Sequence, residues 1–212
     1  MAAPPPRSWR LTQASTNYLI STSPTLLSHP FLQFAFSHKD MYWAKPLPAS
    51  DLALLLSSSL NLGLYIMHAR FPAAKSISEP SSPREESPTV SLSGADDDIL
   101  AEENGDFPDP SEAELEQIGF ARFITDHVTT FYLTDVFVTQ EYRGKGLAKW
   151  LIACCEEIMS EKPHLRRALL MASPGDGVQF YQRELGMTDI AEESAKTVCM
   201  TRRKYDEKKT VE

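Results

Sequence analysis

The eight residues between Val138 and Leu147, TQEYRGKG, constrain this chain more than any others. Before them, FYLTDVFV (131–138) is rich in aromatic and β-branched residues and reads as a strand. After them, LAKWLIACCEEI puts Leu147, Leu151, Cys154, Cys155 and Ile158 on one helical face and leaves Lys149, Glu156 and Glu157 to water. A strand handed directly to a helix belongs to an α/β domain. The helix is expected from about Gly146 to Ser160.

The other elements follow from period and punctuation. YLISTS (18–23) alternates as a strand, and HPFLQFAFSHK is a short helix with Pro30 near its start, where a missing N–H is harmless. ASDLALLLSSSL is a second helix, with Ser50 as its cap and Leu52, Leu55, Leu56 and Ser59 on one face. LGLYIMHA (62–69) is a strand. Ser111 and Glu114 are placed to make a capping box for one helical turn. IGFARFITD and TTFYLTDVFVT form an antiparallel pair joined around Asp126 and His127. RRALLMAS is a strand, GVQFYQREL a helix stopped by Gly186, and KTVCMTRR a last strand. The expected order is β-α-α-β, an insertion, then β-β-α-β-α-β, one domain over residues 8–205.

The net charge of −8 is unevenly spread. Residues 71–117 hold 13 acidic residues against Lys75 and Arg84, so the remainder is mildly basic. Six of the fifteen prolines and many serines fall within 71–110. Such a segment buries too little surface to offset its ordering entropy, and we expect a disordered acidic insertion there. No basic stripe points to nucleic acid, and no apolar run is long enough for a membrane. Three cysteines make no disulfide or zinc pattern, and the N-terminus has no secretory signal. The cytoplasm, or the nucleus, is therefore the expected location. His29, His38, His68 and His164 have no metal-ligand spacing, so no metal is expected.

The turn itself suggests an anion site. The first N–H groups of a helix have no intrahelical partner and carry partial positive charge. Gly144 and Gly146 lack the Cβ atoms that would hold a bulky anion away, and Arg143 and Lys145 add full charges. No Gly-Lys-Ser/Thr follows at the spacing of a nucleoside-triphosphate loop. Lys149 stands where a dinucleotide fingerprint needs its third glycine or alanine.

VFVTQEYRGKGLAKWL resembles the cofactor motif of the GNAT family of acetyl-CoA-dependent N-acetyltransferases, with Arg143, Gly144, Gly146 and Ala148 on its key positions. GVQFYQRELGM is similar to that family's second hallmark, an aromatic-Tyr pair shortly before Leu-Gly-Phe/Met. YWA at 42–44, DVFV at 135–138 and KWL at 149–151 also have counterparts among its small single-domain members of unknown substrate. The resemblance implies the family's acyl-CoA N-acyltransferase fold, a mixed and mostly antiparallel central sheet flanked by helices. It implies acetyl-CoA as co-substrate, held by Arg143, Gly144, Lys145, Gly146, Leu147 and Ala148, with the backbone of Phe137 and Val138 along the pantetheine arm. It also implies direct attack of a primary amine on the thioester, Tyr181 serving as acid toward the departing thiolate. Packing is the other role open to Tyr181, and the adjacent cysteines are expected to pack too.

The general base stays open. Strict alternation puts Tyr132, Thr134, Val136 and Val138 on one face, with Leu133, Asp135, Phe137 and Thr139 on the other. Some relatives carry glutamate where Thr134 stands, which leaves Asp135, Asp126, His127 or a water chain. Asp135 is named as the catalytic candidate, with bracing of the next strand as its alternative. Tyr42 and Trp43, large apolar residues in a loop, either line an acceptor pocket or seal the core. The expected partner is a small-molecule or peptide amine, with a homodimer open. A catalytically inactive acyl-CoA-binding module, or an interaction protein working through its acidic insertion, is the competing function.

Overall fold

The computed structural model describes residues 5–69, 113–193 and 200. The expected insertion at 71–110 lies outside them, as does the last expected strand, KTVCMTRR, apart from Met200. Among the described residues six strands, β1 (Ser8–Gln13), β2 (Thr16–Ser21), β3 (Leu60–Ala69), β4 (Ala113–Thr125), β5 (Thr130–Val138) and β6 (Arg167–Leu170), form one sheet in chain order. All neighbours are antiparallel except β5 and β6, which are parallel. Five α-helices accompany them among the described residues: α1 (His29–Ser37), α2 (Ala49–Ser57), α3 (Leu147–Ser160), α4 (Asp176–Leu185) and the short α5 (Ile190–Glu193). The expected mixed, mostly antiparallel sheet flanked by helices is what the chain forms.

Apolar side chains leave both faces of the sheet, so each needs its own cover. On one face Leu32, Ala35 and Phe36 of α1 and Leu52 and Leu56 of α2 pack on Phe120 and Phe137. On the other, Leu147, Leu151, Ile152, Cys155 and Ile158 of α3 meet Ile118, Phe123, Phe131 and Leu133. Phe180, Tyr181 and Leu185 of α4 lean on that second cluster, and Gly186 ends α4 at φ +61°.

Several local expectations are corrected. The strand β1 was not anticipated: its turn, Ala14-Ser15, lies at φ +47° and +61°, where Asn-Gly is the usual signal. Trp9 donates its indole N–H to Glu157 of α3 (2.8 Å), and Arg7 bonds Glu157 and Glu161, which fasten this edge to the helix. Glu114 lies within β4 rather than in a helical turn. Helix α2 starts at Ala49 with Pro48 in the N-cap position and no side-chain cap, so Ser50 is inside it.

The faces of β5 are also corrected. Phe120 pairs with Phe137 and Arg122 with Thr134, so Asp135 and Val136 stand opposite Ala121 alone. This is a β-bulge, with Asp135 in the left-handed region at φ +54°. Beyond it the alternation inverts. Leu133 and Val138 share one core, and Phe137 belongs to the other.

Candidate functional site

The basic turn is built as an open helix N-terminus. Gly144 (φ +76°) and Gly146 (φ +75°) both take left-handed backbone, which is what demands glycine there. A Cβ at either would meet no atom within 4 Å, so the space over the turn is free. The first bond into α3 runs from Trp150 N–H to the Gly146 carbonyl (3.0 Å), so the N–H groups of Leu147, Ala148 and Lys149 lack intrahelical acceptors. The ammonium of Lys145 lies 4.9 Å from the centre of the Tyr142 ring. Arg143 is turned inward: its Nε donates to the Val138 carbonyl (2.9 Å) and a terminal nitrogen donates to Asp40 (2.7 Å). The guanidinium holds the Asp40 carboxyl below its usual range. Backbone N–H groups and Lys145, rather than Arg143, are the donors this turn leaves open.

A cavity of about 310 Å³ opens where the sheet forks. The pairing of β5 with β6 ends at Leu133 and Leu170, while β5 runs on to Val138. From Thr134 onward that edge of β5 faces no strand among the described residues. The cavity fills the fork, and its lining includes Tyr42, Trp43, Asp135 and Tyr181, four residues expected from sequence. Phe137 and Val138 are buried, so a ligand would meet their backbone rather than their side chains. A larger cavity of about 490 Å³ lies along the outer edge of β6. It shares only Leu170, Ala172 and Tyr181 with the first and does not reach Asp135.

Within the fork, burial pushes the Tyr181 hydroxyl up to about 12, so it keeps its proton across the physiological range. Asp135 is fully engaged. One carboxylate oxygen accepts from Nε and a terminal nitrogen of Arg122, both at 2.7 Å. The other accepts from the Trp43 indole (3.1 Å) and the Thr134 hydroxyl (3.2 Å). Arg122 also donates to Ser59 (3.1 Å), tying the fork to the end of α2. Arg122 was missed from sequence, although one charge inside the apolar run IGFARFIT was its signal.

The other candidates for a base sit away from the cavity. Asp126 accepts from the N–H groups of Val128, Thr129 and Thr130 and from the Thr129 hydroxyl, which drives its carboxyl far below the usual range. His127 occupies the same hairpin at φ +64°. Both serve the turn. Cys154 and Cys155 are buried in α3, and burial raises the first thiol to about 12 and the second well above the ordinary value. We expect Cys154 and Cys155 of the folded protein to resist thiol alkylation at pH 8 and Cys155→Ala to keep its turnover. Rapid labelling of either of these two thiols in the native protein, located by peptide mapping, would contradict that burial. Among the described residues no three His, Cys, Asp or Glu side chains are grouped to hold a metal, and no helix is long and apolar enough to cross a membrane.

Comparison with known proteins points one way. The model of the acetyltransferase (GNAT) family matches residues 73–187. A candidate acetyltransferase of Gibberella zeae is 32% identical over 176 residues, covering 83% of this chain and 82% of that protein. The crystal structure of a candidate acetyltransferase of the GNAT family from Xanthomonas campestris pv. campestris superposes with a TM-score of 0.53 at 25% identity, over 88% of this chain and 92% of its own.

Proposed function

The chain belongs to the GNAT family of acetyltransferases, and from that premise we propose that it transfers acetyl from acetyl-CoA to a primary amine by direct attack on the thioester. The observation that carries this reading is the fork. It sets the Tyr181 side chain across one cavity from the open edge of β5, the strand that leads into the Gly144–Gly146 turn. Acetyl-CoA as substrate supplies an acetyl group activated on sulfur. The turn from Arg143 to Ala148 fits its pyrophosphate through unpartnered N–H groups at a positive helix end. The free backbone edge at Phe137 and Val138 would bond the pantetheine arm. The Tyr181 hydroxyl would protonate the departing thiolate, and Tyr42 and Trp43 would line the acceptor's entrance. Asp135, saturated by donors, is best read as positioning Trp43. The reading requires no metal and fits a cytoplasmic enzyme, alone or as a homodimer, acting on a small-molecule or peptide amine.

Calorimetric titration with acetyl-CoA, with NAD and ATP as controls, tests the premise. Micromolar binding of acetyl-CoA alone supports it, and no binding by the folded protein would favour an interaction module. An inactive acyl-CoA-binding module would bind equally but acetylate no amine. Tyr181→Phe should lower kcat about a hundredfold, the low end for one positioned proton transfer, with little change in acetyl-CoA affinity. Because burial raises its pKa, Tyr181 should add no alkaline limb to kcat below about pH 11. Equal turnover in the phenylalanine variant would reduce Tyr181 to packing.

A further inference from the structure

The walls of the fork also bear on which amine it takes, a question that rests on the acetyltransferase reading above. Among the described residues Asp135 is the only carboxylate lining the cavity, and no lysine, arginine, histidine or glutamate accompanies it. Both its oxygens are taken, with Arg122 neutralising the charge. A polyamine or a lysine-rich peptide would find no free negative charge on this wall to offset its desolvation. What the mouth presents instead is apolar. Tyr42 is 70% exposed, Trp43 50% and Met171 69%, and Tyr132 lines the same cavity. Large apolar groups held in water around a small-molecule-sized cavity suit an apolar ligand body. The volume admits a small molecule or a single side chain.

Among the described residues the same wall offers no side chain free to take a proton from an ammonium group. We infer that the acceptor is a primary amine on an aromatic or otherwise apolar body, and that it binds uncharged. The balance then closes within the site. The amine nitrogen bonds the acetyl carbon as the carbon–sulfur bond breaks, and the Tyr181 proton passes to the thiolate. The surplus proton on nitrogen returns, through water, to the Tyr181 phenolate. One amine and one thioester become one amide and one thiol.

The test follows CoA release with 2-phenylethylamine, its far less basic β,β-difluoro analogue, and spermidine. We expect kcat/KM for 2-phenylethylamine to exceed that for spermidine by about tenfold, the worth of good aromatic contact. The pH at which kcat/KM levels off should fall for the difluoro analogue, following the amine and not the enzyme. Met171→Asp, at an exposed position, should shift the preference toward spermidine by about fivefold. Preference for spermidine in the parent protein, or one fixed inflection for both phenylethylamines, would overturn the inference while leaving the acetyltransferase intact. Acetyl-CoA binding with no transfer to any amine would bring down both.

Discussion

Gly146→Glu is expected to weaken acetyl-CoA binding roughly a thousandfold, about 4 kcal/mol at about 1.4 kcal/mol per decade, in a protein that still folds. The backbone at 146 is left-handed, and the space above it is open. A glutamate there carries its carboxylate over the N–H groups of Leu147–Lys149, where the pyrophosphate is proposed to lie. Like charges at a site built for an anion repel, and the carboxylate takes the N–H groups for itself. Gly146→Ala separates this from strain. Its Cβ meets nothing within 4 Å, so its cost is the left-handed conformation, about 1–2 kcal/mol of stability. Acetyl-CoA affinity in the alanine variant should stay within a few-fold of the parent. Calorimetric titration of both, with thermal melts, gives the comparison. Normal affinity in a folded glutamate variant would remove the turn from the site.

The turn was legible because its requirements are local. Two glycines at φ near +75° between a β-branched run and an amphipathic one leave few alternatives, and Gly186 ends α4 for the same reason. What escaped depended on partners distant in sequence. The β1–β2 turn uses Ala14 and Ser15 where composition suggests no turn, so only pairing across the hairpin and the grip of Glu157 on Trp9 reveal β1. The bulge at Asp135 escaped because strict alternation assumes one residue opposite one. The buried demand of Arg122 for a carboxylate accompanies the extra residue, and this reverses every face beyond it. From sequence Asp135 enters as a candidate base only because Thr134 stands where some relatives carry glutamate. Its four donors come from the Tyr42–Trp43 loop and from Arg122 and Thr134 on the two central strands, and no local pattern could supply that list.

Arg122→Leu should cost about 3–5 kcal/mol of stability, because it leaves the Asp135 carboxylate buried without its counter-charge. The side chains are 11% and 6% exposed, so water cannot replace the lost donors. For a domain of this length that corresponds to a fall in melting temperature of roughly 10 °C. The double variant Arg122→Leu with Asp135→Asn should regain more than half the loss, since breaking a buried pair costs more than replacing both partners. Trp43→Phe, which removes only the indole donor, should cost about 1 kcal/mol and loosen the acceptor's entrance, read as a raised KM for the amine. These outcomes decide what Asp135 is. A cost below about 1 kcal/mol for Arg122→Leu would mean that water reaches the carboxylate, as at a surface pair. Asp135 would then be free to accept a proton, and its claim as the general base would return. A large cost, recovered in the double variant, means the carboxylate's work is to neutralise Arg122 and fix Trp43. The acceptor then meets a wall on which the one charge among the described residues is already neutralised.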